Sequence, residues 1–236
     1  MELVNFISGL DLKLSRPQAA YVLNMADALL VSDEHKTVAS LNRQLVEAKD
    51  DSSVTHSFRE SPWQAQDLRH KVLVFLMRKS IEIARRLGLE KVVIVSIDDS
   101  LIEKDSATRH LEGVDWHHDH NASSKKQAQY KNGSVFVVCH LTIGLISFAI
   151  NWRMYVREKT VRRINRQRTK GQQLKFQSKY RLARAMLAEI APLLPDDFRV
   201  YVLFDSWYSS AKLIRYCRRH AWHVIAGLKS NRCIDA

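Results

Sequence analysis

The chain is poor in the residues that staple or punctuate a fold: 3 cysteines, 4 prolines and 7 glycines in 236 residues. Cys139, Cys217 and Cys233 are odd in number and too widely spaced for a zinc pattern, so neither a disulfide framework nor a zinc finger is expected, and reduced thiols are the plain reading. No internal repeat or low-complexity tract appears. Met1 to Leu14 mixes acids with apolar groups and lacks a basic start, so no secretory signal is visible. The longest apolar stretch, residues 135–150, is broken by His140, Thr142, Gly144 and Ser147 and is too short to span a bilayer. A cytoplasmic protein without a membrane partner is the expectation.

Acid is also in short supply. Lys and Arg number 37 against 25 Asp and Glu, which gives a formal net charge of +12 and an isoelectric point near 9.8. Such a surface attracts polyanions, nucleic acid first and an anionic membrane second. Hydrophobic residues make up 46%, enough for a real core.

Two apolar runs end abruptly in aspartate. One is Lys91-Val92-Val93-Ile94-Val95-Ser96-Ile97-Asp98-Asp99-Ser100, the other Arg199-Val200-Tyr201-Val202-Leu203-Phe204-Asp205-Ser206-Trp207-Tyr208. Both have the β-branched and aromatic make-up and the length of buried strands. A carboxylate at such a strand end sits at the lip of a sheet, where open α/β folds bind ligands. Two on neighbouring strands can share divalent cations, a device for cutting phosphodiesters.

Residues 1–90 read as helical and residues 91–236 as a second domain. Pro17 suits a first helical turn, a second short helix is expected over 36–48, Ser52 or Ser53 suits a cap, and Ser61-Pro62-Trp63 opens a long helix reaching Gly88. The helical part fits either a helix-turn-helix or a cap on the next domain. From Lys91 the order is strand, a polar stretch over 103–133, two strands meeting near Gly144, a basic linker over 157–175, a helix over 176–194, the second aspartate strand, a helix and a last strand. Three strands in succession, then helices alternating with strands, is the order of an RNase H-like mixed sheet: an α/β fold behind an all-helical N-terminal domain.

This arrangement resembles the DDE transposases of bacterial insertion sequences. The most specific piece is Phe204-Asp205-Ser206-Trp207-Tyr208-Ser209-Ser210, followed by a helix, a strand and Gly227-Leu228-Lys229-Ser230-Asn231. Phe176-Gln177-Ser178-Lys179-Tyr180-Arg181-Leu182-Ala183 resembles the helix before it, and Ile97-Asp98-Asp99-Ser100 the first catalytic strand. The resemblance implies Asp99 and Asp205 as catalytic acids and metal ligands; Asp98 competes with Asp99 and is a further candidate metal ligand, while a turn or helix cap is its plainer reading. A strand alternates faces, so Asp98 and Asp99 point to opposite sides, and periodicity does not say which side meets the metal. Two magnesium ions are implied, as is double-stranded DNA, both transposon ends and target, as partner. The oligomeric state stays open, a homodimer on DNA being one arrangement.

The family also uses a glutamate on a helix well after the second aspartate. The chain stops at Ala236 before such a helix, so a C-terminally incomplete transposase is expected, and a catalytically inactive DNA-binding derivative is the alternative. An aspartyl-phosphate phosphatase wants a second acid two residues after the nucleophile. Here Ser100 follows Asp98 and Leu101 follows Asp99. Trp116-His117-His118-Asp119-His120 has metal-ligand chemistry but no distant partner, and reads as a structural or DNA-facing loop. Arg153, Arg157, Arg162, Arg163, Arg166, Arg168 and Lys170 form a basic run in which Glu158 is the one acid, and with Lys229 they are the expected DNA contacts.

Overall fold

The computed structural model describes residues 2–33, 36–45, 50–60, 64–119, 122–124 and 127–228. The chain divides into two compact units, 1–76 and 77–236. The first holds α1 (Glu2–Gly9), α2 (Arg16–Val31), α3 (Val38–Arg43), α4 (Asp51–Glu60) and the opening turns of α5 (Ala65–Arg86). Local chemistry starts these helices. Pro17 lies in the first turn of α2, and the Gln18 side chain accepts from the Ser15 N–H at 2.8 Å. Thr37 caps α3 by accepting from the Ser40 N–H at 3.1 Å. At α4 the Asp50 carboxylate accepts from the Ser52 N–H at 2.9 Å, so Asp50 takes the role expected of Ser52 or Ser53. Met25, Ala28, Leu41 and Val54 form this unit's core, with Tyr21 and Leu45 against it. Residues 46–49, within the expected second helix, and Ser61-Pro62-Trp63 lie outside the described residues.

The second unit is built on a six-stranded mixed sheet: β1 (Val92–Glu103), β2 (Asp115–His118), β3 (Tyr130–Ile143), β4 (Ile146–Tyr155), β5 (Arg199–Phe204) and β6 (His223–Ala226). β3 runs antiparallel to β1, β2 and β4, while β1, β5 and β6 run parallel to one another. This is the expected RNase H-like arrangement. β2 and β4 share one edge of β3, β2 along residues 130–133 and β4 along 135–143. Val93, Val95, Ile97, Val137, Cys139, Leu141, Val200 and Val202 are buried on one face of the sheet. α7 (Lys179–Ile190) packs over β3 and β4, burying Leu182, Ala183, Met186, Leu187 and Ile190, a stripe of helical period. α8 (Ala211–Arg219) packs on β6 and α7.

Two expectations need correction. The polar stretch 103–133 contains β2, so Trp116, His117 and His118 form a strand rather than a loop. Its composition is poor for a strand, and the free edge of β3 supplies the pairing that propensity does not. The basic stretch 157–175 is not a bare linker. It contains α6 (Glu158–Asn165), whose Thr160 and Val161 are buried. The Thr160 hydroxyl donates to Asp115 of β2 at 2.5 Å, and the Arg157 guanidinium donates to the Trp116 carbonyl. Cys139 and Cys217 are buried and unbonded, and burial pushes the Cys217 thiol up to about 11. Among the described residues no helix is long and apolar enough to cross a membrane.

Candidate active site

The parallel pairing of β1 with β5 ends at Ile97 opposite Phe204, and an aspartate follows each of them. Asp98 and Asp205 each directly follow this last register pair, on strands about 4.8 Å apart. Both are exposed. Asp98 lies opposite in face to buried Ile97, and its Oδ1 accepts from the Asp99 N–H at 2.8 Å. Asp205 closes a turn: its Oδ1 accepts from the N–H groups of Trp207 (3.0 Å) and Tyr208 (3.2 Å). Each of these carboxylates keeps its Oδ2 without a hydrogen-bond partner among the described residues.

Asp99 is placed differently. It shares the face of Val93, Val95 and Ile97, beneath which the core lies. The Lys179 ammonium donates to its Oδ2 at 2.6 Å, and the Tyr208 hydroxyl donates to its Oδ1 at 2.8 Å. Both oxygens are engaged. Lys179 sits 5.5 Å from the centre of the Tyr155 ring, a cation–π contact. Tyr208 is 1% exposed. Burial first, then the charge and hydrogen bond of Asp99, then Asp98 and Asp205, push its phenol far above the ordinary range, so it stays a donor.

The turn carrying Asp205 is clamped at three further points. Ser209, fully buried, donates through Oγ to the Gly227 carbonyl at 2.5 Å. Ser210 caps α8 by accepting from the Leu213 N–H at 3.3 Å. Gly227 itself lies against Ser206, close enough that a Cβ there would sit 3.4 Å from the Ser206 nitrogen. The fit to a hard divalent cation rests on the donor set: two carboxylates with open oxygens and no competing soft ligand beside them. Among the described residues, no cluster of three or more His, Cys, Asp or Glu is placed to hold a metal.

The flanking groups separate by partner. His117 has an Nε2 that is buried without a hydrogen-bond partner; burial first, then the Arg157 and Lys179 charges, hold its imidazole below the ordinary value, against the pull of Asp115. His120 lies outside the described residues, as does Lys229. Of the expected DNA contacts, Arg153 pairs with Glu189 of α7, Arg157 reaches Asp115 (3.8 Å), Arg162 pairs with Glu158 (2.6 Å) and Arg168 with Glu112 (2.6 Å). Arg163, Arg166 and Lys170 are exposed and make no ion pair among the described residues. Sequence reasoning missed the partners of Asp99. Lys179 and Tyr208 stood in the quoted motifs, but nothing in their spacing indicated that they converge on one carboxylate.

A sequence model of the family described as DDE superfamily endonuclease matches residues 12–234. No curated protein matches the chain. Among solved structures, the piggyBac transposase synaptic complex with hairpin DNA is similar at 13% identity and a TM-score of 0.39, over 98% of this chain and 49% of that one. The Mos1 strand transfer complex is similar at 14% identity and a TM-score of 0.27, over 91% of this chain and 60% of that one. The chain thus spans about half the length of the piggyBac chain.

Proposed function

We propose that this chain, which belongs to the DDE superfamily endonucleases, is a DNA transposase or the N-terminal part of one, cutting and rejoining DNA at the ends of a mobile element. The observation that carries the reading is the two open carboxylates, Asp98 and Asp205, which directly follow the last register pair of the parallel strands β1 and β5, in a protein with net charge +12. Asp98 and Asp205 are the ligands for magnesium in this reading. Asp99, named first by resemblance, serves instead to hold the Asp205 turn through Tyr208, because Lys179 and Tyr208 already engage both of its oxygens. A bound divalent cation supplies the Lewis acidity that activates a water or a 3′-hydroxyl and offsets charge on the leaving oxygen.

The chain's own contributions follow from its contacts. Two N–H bonds fix the rotation of the Asp205 carboxylate, so its free oxygen faces one direction. Arg163, Arg166 and Lys170 offer unpaired charge to phosphates. Residues 1–90 are assigned to recognition of the element's ends and 91–236 to the chemistry, on duplex DNA and without a membrane partner. Two copies, one at each end, would suit a joining reaction.

The test is nicking of a transposon-end duplex with magnesium or manganese. Asp98→Asn and Asp205→Asn should each remove nearly all cleavage and leave DNA binding within about twofold. Asp99→Asn should cleave weakly and unfold at lower temperature, since it weakens the contact with Lys179. If Asp99→Asn abolishes cutting at unchanged stability while Asp98→Asn cuts normally, the roles are reversed. Tight binding with no cutting in either ion would favour the alternative, a DNA-binding derivative without activity.

A further inference from the structure

We infer that the groove between the N-terminal ends of α7 and α8 holds the sugar-phosphate backbone of a DNA strand beside the Asp205 turn, on the sheet face of Asp99. This rests on the reading that the chain acts on DNA. The groove encloses about 390 Å³ and is lined by Ser178, Tyr180, Arg181, Arg184, Ser210 and Lys212. Three cations face it and no acid does. None of Arg181, Arg184 and Lys212 makes an ion pair among the described residues, in contrast to Arg153 and Arg168, which do. Three like charges gathered without a counter-charge repel one another, and a bound polyanion relieves that repulsion.

Helices of 12 and 9 residues, capped by Ser178 and Ser210, both begin here, and their dipoles add positive potential at the same place. The ligand is identified by what lies beside the groove. Tyr180, 39% exposed, meets Tyr208 edge-on at 6.2 Å, and the Tyr208 hydroxyl binds Asp99. Ser210 is the cap immediately after the Asp205 turn. Trp207, in that turn, is 54% exposed. Cations flanked by exposed aromatic rings suit a nucleic-acid strand, with phosphates on the arginines and bases against the rings. The groove is therefore a binding site distinct from the basic run 153–170, and it adjoins the Asp205 turn through Ser210.

The test measures binding of a fluorescent duplex to the full chain by anisotropy across a range of salt. Arg181→Ala/Lys212→Ala should lower the slope of log K against log salt by about 0.9 for each lost phosphate contact. Arg218→Ala removes the same kind of charge from the other flank of α8, across the buried stripe of Leu213 and Cys217, and should leave the slope near wild type. Arg181→Lys/Lys212→Arg should keep it. In a second measurement that needs no variant, duplex DNA should protect Lys212 of the wild-type chain from acetylation. If the wild type binds DNA but the double variant keeps its slope, or Lys212 labels equally with and without DNA, the groove assignment is wrong. If the wild type binds no DNA at all, the reading beneath it fails as well.

Discussion

Tyr208 is buried to within 1% of its surface, yet its hydroxyl is aimed at a carboxylate that also carries an ammonium. A hydrogen bond to a charged group contributes more than a neutral one, about 1.5–3 kcal/mol. Tyr208→Phe keeps the ring and removes that bond, so urea unfolding should show a loss in this range, and cation affinity should fall because the Asp205 turn is no longer tied to β1. His117 gives a pH signature. Its folded-state value is depressed below the ordinary 6.5, so the unfolded chain takes up the proton first. Stability should then decline as pH falls through 6.5, and His117→Gln should remove that part of the decline when unfolding is compared at pH about 7.5 and 5.5. Asp115 acts in a lower window. Burial would raise its carboxyl, but the Thr160 and Trp116 hydrogen bonds and the Lys159 and Arg157 charges together hold it below the ordinary 3.8, so its contribution persists through this range and is lost only on stronger acidification.

β2 shows how one element depends on another. Gly133 of β3 is flanked by Glu103 of β1 and Asp115 of β2, and a Cβ at this position would run into the Ile102 carbonyl. Gly133→Ala should therefore cost about 2 kcal/mol or more through backbone displacement, and loosen the β2 edge with it. Gly171→Ala meets nothing within 4 Å and should be neutral or slightly stabilising; thermal unfolding of the two variants compares them directly. The same contrast explains what the sequence showed of each element. β1 and β5 were legible because Val92 to Ile97 and Val200 to Phe204 are β-branched or aromatic apart from Ser96 and Leu203. β2 was not, since Asp115-Trp116-His117-His118 is a strand only by virtue of its neighbour. α6 was hidden by its own charge: the two residues it buries, Thr160 and Val161, stand among five cations from Arg157 to Arg166.

For the molecule as a whole, a net charge of +12 does not mean that every cation is available to a ligand. Arg153 is spent on Glu189, and its side chain is 23% exposed, whereas Arg163 and Arg166 are open. Arg163→Ala/Arg166→Ala should flatten the salt dependence of DNA binding at unchanged melting temperature. Arg153→Ala should do the reverse, destabilising by about 2 kcal/mol because Glu189 keeps only Asn151 of these two partners. The division of cations was not legible in the sequence, where all of them lie in one run. Pairing depends on which acids the fold returns from elsewhere, Glu112 to Arg168 and Glu189 to Arg153. The parallel register of β1 with β5 has a bearing on biosynthesis. Asp98 leaves the ribosome long before Asp205, and until the segment ending at Phe204 has emerged and settled against β1 it has no partner. A chain interrupted in translation between these strands carries only half of the carboxylate pair, so the pair exists only once β5 has joined the sheet.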